Sequence, residues 1–157
     1  MDSFDIKILK IIQKEGRITN KELAKKVNLS PAPCWRRMNA LESNGYIRRY
    51  TALLNHEKLG LNITAFAHIS LENHHAETVL AFDNAIANWQ EVQECHATSG
   101  DSDYLLKIIT KDMNTYNSFM YERLLKLKAI RSVNTSFSMQ QKKLSTELPL
   151  SHYDLVN

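Results

Sequence analysis

The sequence predicts an α+β chain in two parts, an N-terminal winged helix-turn-helix over residues 1–54 and a ferredoxin-like βαββαβ domain over residues 63–150. Three observations predict it. Residues 19–47 hold two helical segments with capping residues, separated by a short turn and followed by a basic stretch. Beyond residue 60 the apolar period alternates between strand and helix patterns in the order βαββαβ. The charge divides in the same place: residues 1–60 carry twelve Lys or Arg against six Asp or Glu, net +6, and residues 61–157 carry eight against eleven, net −3. A basic end suited to neutralising phosphates thus precedes an acidic end with a different task.

The first helix can be capped by Asp2 or Ser3, turns Ile8, Leu9 and Ile12 inward, and is expected to end at Gly16. Thr19 and Glu22 have capping-box spacing for the second helix, whose apolar stripe is Leu23, Ala24 and Val27. Ser30 followed by Pro31 starts the third, with Ser30 as side-chain cap and the proline where a missing donor does no harm. Cys34, Met38 and Leu41 form its inner stripe. Its outer face carries Trp35, Arg36 and Asn39, with Ala32 and Pro33 at the tip, so its N-terminal end can enter a major groove of double-stranded DNA. A capped helix pair also occurs in plain helical bundles. The local excess of basic charge favours DNA: Arg48 and Arg49, in the strand-like IRRYTALL, form a basic wing that can hold phosphates beside the reading helix. Arg37 can reach phosphate or brace the domain through a carboxylate such as Asp5 or Glu42.

A polar connector with a glycine, Asn55 to Gly60, lies within a linker over residues 55–62. Strands are expected from Ile63, Glu91, Tyr104 and Val133, and helices over 76–88 and 113–127. Two helices cover one face of a four-stranded sheet. Phe66, Ile69, Leu105, Ile108 and Val133 are more apolar surface than that pair can hide, which predicts a homodimer closed sheet to sheet. The turn-rich SGDSD between the second and third strands offers both backbone amides and carboxylates, the two partners a free amino acid needs, although such a sequence can also be a plain hairpin turn. Residues 151–157 form a C-terminal tail.

Other chemistries find little support. No run of about 18 apolar residues and no charged leader followed by an apolar stretch occurs, which predicts a cytoplasmic protein. Cys34 and Cys95 lack C-x-x-C spacing and are expected to be packing thiols. The six histidines, including the adjacent His74 and His75, lack metal-ligand spacing, so neither metal nor cofactor is expected. No phosphate-binding glycine loop or nucleophile motif points to an enzyme.

Several pieces in order resemble the leucine-responsive regulatory protein/AsnC (Lrp/AsnC) family of transcription regulators, over nearly the whole chain. They are Asp5-Ile6-Lys7-Ile8-Leu9, Gly16-Arg17-Ile18-Thr19, LSPAPCWRRMNALESNGYI, Tyr50-Thr51-Ala52-Leu53-Leu54, Glu94-Cys95-His96, the stretch Ser99 to Leu106, and Ser145 to Leu150. The resemblance implies a winged helix-turn-helix joined to an amino-acid-sensing domain, with dimers that often form octameric rings of four. It places an effector site at Thr98, Ser99, Gly100, Asp101, Ser102, Asp103 and Tyr104, completed by Thr135 and Ser136. Ser102 stands where relatives often have an aromatic residue, so the pocket has room for a larger apolar side chain, with leucine and methionine as first candidates. Asn39 and Ala40 replace positions that are frequently basic, so operator sequence does not carry over. A sirohaem decarboxylase resembles the family in fold, and an RNA recognition motif shares the βαββαβ order. The intact basic reading helix argues against the first. The second needs several exposed aromatics on its third strand, where YLLKIIT supplies only Tyr104.

Overall fold

The computed structural model describes residues 1–155. Two compact units divide the chain: Met1–Leu53 together with the segment beginning at Lys143, and Leu54–Lys142. The expected second domain extended to residue 150. Residues 143–150 group instead with the first unit, where the Gln13 amide both accepts from the Leu148 backbone N–H at 2.9 Å and donates to its carbonyl at 3.3 Å, while Lys14 pairs with Glu147 at 3.2 Å.

Among the described residues the first unit has three α-helices, α1 (Ser3–Ile12), α2 (Asn20–Lys26) and α3 (Pro31–Ser43). Asp2 and Asp5 form a capping box at α1, and Thr19 and Glu22 one at α2. Ser30 occupies the cap of α3 but makes no side-chain cap bond. The third residue of this helix is Pro33, so the amide from which a cap serine ordinarily accepts is absent. α1 ends at Ile12, a turn before the expected Gly16. α2 ends on Asn28 in the left-handed region (φ 57°), with the Leu29 amide reaching back to the Ala24 carbonyl at 2.9 Å. α3 ends the same way on Gly45 (φ 74°), with Tyr46 N–H donating to Leu41 at 3.0 Å. These two reversals satisfy helix-end carbonyls and turn the chain sharply enough to bring the three helices together. Ile8, Leu23, Ala24, Val27, Cys34 and Leu41 are buried between them. Each fully buried aliphatic side chain contributes about 1.5 to 3 kcal/mol by leaving water. The stretch after Tyr46 forms no hydrogen-bonded strand among the described residues, so the wing is an extended segment without a sheet partner in this chain.

The second unit follows the expected order: β1 (Ile63–Leu71), α4 (Ala76–Ala87), β2 (Val92–Ala97), β3 (Tyr104–Thr110), α5 (Met113–Phe119) and β4 (Ile130–Phe137). α5 continues as a π-helical turn over Met120–Leu124, and β4 begins three residues earlier than expected. The sheet is antiparallel with order β2-β3-β1-β4. Ala65, Ala67, Ile69 and Leu71 alternate toward the helices and are buried there with Phe82, Leu106, Ile108, Tyr116, Phe119 and Leu124. This corrects the expected uncovered surface. Ile69 and Ile108 lie in the dry core and Val133 packs against it, whereas Phe66 and Leu105 occupy the opposite parity and face away. Cys34 is a core thiol as expected, but Cys95 is exposed, because β2 is an edge strand.

The missing cap bond makes a clean comparison. Thr19→Ala should cost about 1 kcal/mol of stability, the ordinary worth of a cap, whereas Ser30→Ala should cost no more than a few tenths. Urea unfolding midpoints of the two variants check this, and equal losses contradict it.

Candidate DNA interface and effector loop

At 100° per residue, Cys34, Met38 and Leu41 define the inner side of α3, and Ala32, Arg36, Asn39 and Ala40 fall on the outer side. Arg36 is exposed, as are Arg48 and Arg49, and none of the three forms an ion pair among the described residues. Trp35 is 60% exposed on one flank of the helix. Ser30 and Ala32 are exposed at the tip and Pro33 is half-buried beside them. With prolines at 31 and 33 this helix start has lost two amide donors, so phosphate contacts fall to side chains more than to the helix terminus.

Arg37, grouped with the DNA-contacting residues from the sequence, lies on the opposite flank. Its Nη1 is 2.8 Å from Asp5 Oδ1 and 2.7 Å from Asp2 Oδ2, and its guanidinium sits 5.4 Å from the Phe4 ring centroid. The Asp5 carboxylate, then that of Asp2, holds the guanidinium even more firmly protonated than an ordinary arginine. The bracing half of its expected double role has geometry. A phosphate contact would have to draw it away from two carboxylates at the start of α1.

In the second unit, the loop from Thr98 to Asp103 is closed at its base. Thr98 N–H donates to the Asp103 carbonyl at 2.9 Å, Thr98 Oγ1 donates to the Ser102 carbonyl at 2.8 Å, and Asp103 N–H donates to Ile69 at 2.8 Å. The Asp103 carboxylate is fully engaged: Oδ2 accepts from the Leu71 amide at 2.7 Å and Oδ1 lies 2.7 Å from His74 Nε2. The His74 imidazole, then the Leu71 amide, holds this carboxyl below the usual aspartate range. Asp103, expected to organise the site, therefore locks the loop onto β1, and the carboxylate left exposed is that of Asp101. Gly100 has φ 124°, a backbone strained for any other residue, and the amides of Ser99, Gly100, Asp101 and Ser102 have no protein acceptor among the described residues. The Ser102 hydroxyl lies 3.3 Å from His68 Nδ1.

Register separates the remaining expected site residues. Tyr104 points to the helix side, its ring centroid 4.6 Å from that of Phe82. Thr135 is on that side too, its hydroxyl 2.7 Å from the Tyr116 hydroxyl. Ser136, opposite Phe66, is on the open face. Thr135 and Ser136 cannot both complete one pocket from a flat strand, since successive side chains leave opposite faces. His74 and His68 were not singled out. A histidine just past a strand end carries no sequence signal for the carboxylate it will meet, because that meeting depends on the pairing register.

Comparison with known proteins gives a consistent result. Residues 1–48 match the model of a winged helix-turn-helix DNA-binding domain, and residues 64–148 match that of the Lrp/AsnC ligand binding domain. The chain is 41% identical over 148 residues to the leucine-responsive regulatory proteins of Escherichia coli and of Klebsiella pneumoniae, covering 94% of this chain and 90% of each relative. Among solved structures it is similar to a transcriptional regulator from Neisseria meningitidis in complex with L-Met, at TM-score 0.93 and 39% identity, covering 97% of this chain and 98% of that one. It is also similar to an AsnC family transcriptional regulator from Agrobacterium tumefaciens, at TM-score 0.90 and 41% identity over 97% of this chain and 99% of that one. No helix among the described residues is long and apolar enough to cross a membrane.

The Asp103 lock has a pH signature with a fixed sign. Its folded pKa is depressed, so its contribution to stability is present above the unfolded value of about 3.9 and is lost as pH falls through the lower folded one. Asp103→Asn should therefore be less stable than the parent at pH 6, and the two should converge in acid below about pH 4. Parallel thermal melts across this range check it. A constant gap down to the acid limit contradicts the lock.

Proposed function

The chain belongs to the Lrp/AsnC family, and on that premise we propose that it is a cytoplasmic homo-oligomeric regulator whose DNA occupancy is set by an amino acid bound at the Thr98–Asp103 loop. That it is a DNA-binding transcription regulator follows from its two matched domains and its relatives. These relatives are transcription regulators, which leaves the decarboxylase and RNA-binding alternatives unsupported.

The loop geometry carries the effector reading. Unpartnered amides at Ser99 to Ser102 suit the carboxylate of a free amino acid, and the exposed Asp101 carboxylate suits its ammonium. Asp103 and His74 hold the loop in place for both. Ser102 leaves space where a bulkier residue would fill it, which favours an apolar effector of the size of leucine or methionine. The L-Met complex of the Neisseria relative supports methionine as the first to test. The open sheet face, where Phe66 and Leu105 lie among Lys107, His68, Asn134 and Ser136, is the surface on which a second copy would dock to form a dimer, the unit from which an octamer could be built.

On DNA, Arg36 reads base edges from α3, with Asn39 and Trp35 beside it, and Arg48 and Arg49 hold phosphates. Arg36→Ala should cost about 1 to 3 kcal/mol on the operator and relax sequence preference. Arg48→Ala should weaken all duplexes evenly and reduce the salt slope by about one. Fluorescence anisotropy on operator and random duplexes at several salt concentrations separates the two roles, and equal behaviour of both variants overturns the assignment.

Calorimetry tests the effector. Methionine and leucine should bind the parent, and Asp101→Ala should lose about 1.5 to 3 kcal/mol, the worth of a charged hydrogen bond, with effector-free DNA binding retained. Unchanged affinity in Asp101→Ala places the site elsewhere.

A further inference from the structure

The first unit contains a cavity apart from the effector loop, one wall of which borders the DNA-reading face of α3. It has a volume of about 330 Å³ and lies between the end of α1, the start of α2 and one flank of α3. Ile18, Leu23, Trp35 and Met38 supply apolar walls, a volume and character ordinary for a small-molecule site. The polar side chains of Asn20 and Glu42 also line it. Asn20 donates its Nδ2 to the Pro31 carbonyl at 2.9 Å, which fixes the orientation of the amide and leaves Oδ1 buried with no partner among the described residues. Glu42 accepts from the Tyr50 hydroxyl at 2.8 Å and forms no ion pair among the described residues. Burial, then the Glu42 carboxylate, pushes the Tyr50 phenol up to about 12, so the phenol stays neutral and leaves the carboxylate charge uncompensated. None of the residues lining the cavity is Lys, Arg or His.

The geometry points to a second ligand site, in the reading unit itself, for a small amine that carries an apolar or aromatic body and no carboxylate. The body fills the space against Trp35 and Met38, and the amine donates to the Glu42 carboxylate. A carboxylate on the same ligand would meet Glu42 with no cation to balance it, so this site rejects the amino acids that the effector loop accepts. Trp35, Met38, Asn39 and Glu42 all belong to α3, so an occupant touches the helix that reads DNA.

Trp35 supplies the reporter. The chain has two tryptophans, and Trp89→Phe leaves Trp35 alone. Phenethylamine should change its fluorescence along a saturable curve. Phenylalanine, the same body with a carboxylate, should bind at least about tenfold more weakly, and so should phenethylamine to Glu42→Gln, which keeps an acceptor for Tyr50 but removes the charge. Gly16→Leu should also lose binding: a Cβ there meets only the Ile12 carbonyl at 3.9 Å, and the added side chain takes up cavity space. Asp101→Ala, in the effector loop, should bind phenethylamine as the parent does, so failure at one site is distinguishable from failure at the other. A response that never saturates, equal binding of phenylalanine, or full binding in folded Glu42→Gln overturns the proposal and leaves the cavity to water.

Discussion

Two helices cover only one face of a four-stranded sheet, so parity sends alternate residues of β1 to a dry core, with Ser70 buried as well at the register shift. Ala65, Ala67, Ile69 and Leu71 go to the core, and small residues at 65 and 67 let the helices approach. The same register sets Asp103 at the end of β3, where its amide meets the Ile69 carbonyl and its carboxylate meets the Leu71 amide. A shift by one residue would expose the core set and break both bonds. Loop geometry in this unit is therefore a consequence of core packing, and the loop is held without drawing on the amides of Ser99 to Ser102 or the Asp101 carboxylate.

The reading unit solves a related problem with charge. α3 carries adjacent arginines, and 100° of rotation sends them to different places. Arg37 turns toward the first turn of α1, where two carboxylates and the Phe4 ring receive it, and Arg36 turns outward and forms no ion pair among the described residues. A partly shielded ion pair with two carboxylates is worth more than an exposed one, which is screened by salt. The brace ties α3 to the start of α1, and the neighbouring guanidinium stays exposed.

Local rules made most of the helices legible. Thr19 and Glu22 announce a capping box by spacing alone, and the period-two stretches gave the strand order. Ser30 misled because the rule for a cap serine presupposes an amide that Pro33 lacks. Phe66, Ile69, Leu105, Ile108 and Val133 were counted together as more apolar surface than the helices hide, because parity relative to the helices depends on where the chain enters the sheet, which composition does not encode. The roles of Asp103 and His74 were hidden for the same reason: a carboxylate in a turn looks available until the register supplies its partners. Residues 143–150 follow the last strand in sequence, yet the Gln13 contact to Leu148 spans 135 positions, beyond any local pattern.

The units are joined twice by the chain, once between Leu53 and Leu54 and again between Lys142 and Lys143. An effector bound in one unit can alter DNA occupancy in the other only if it favours one arrangement of the assembly over another, since a ligand with equal affinity for both shifts nothing. Couplings of about 1 to 3 kcal/mol change affinity by roughly 5- to 150-fold, a range that a few hydrogen bonds made in one state and absent in the other can supply. A second copy enlarges the effect. One short recognition helix reads only a few base pairs, so useful specificity needs two reading units on a symmetric site, and each effector that changes their spacing acts on both contacts at once. Among the described residues, Gln13 and Lys14 hold residues 147 and 148 by a pair of exposed amide hydrogen bonds and a surface ion pair, interactions of a kind that water competes with.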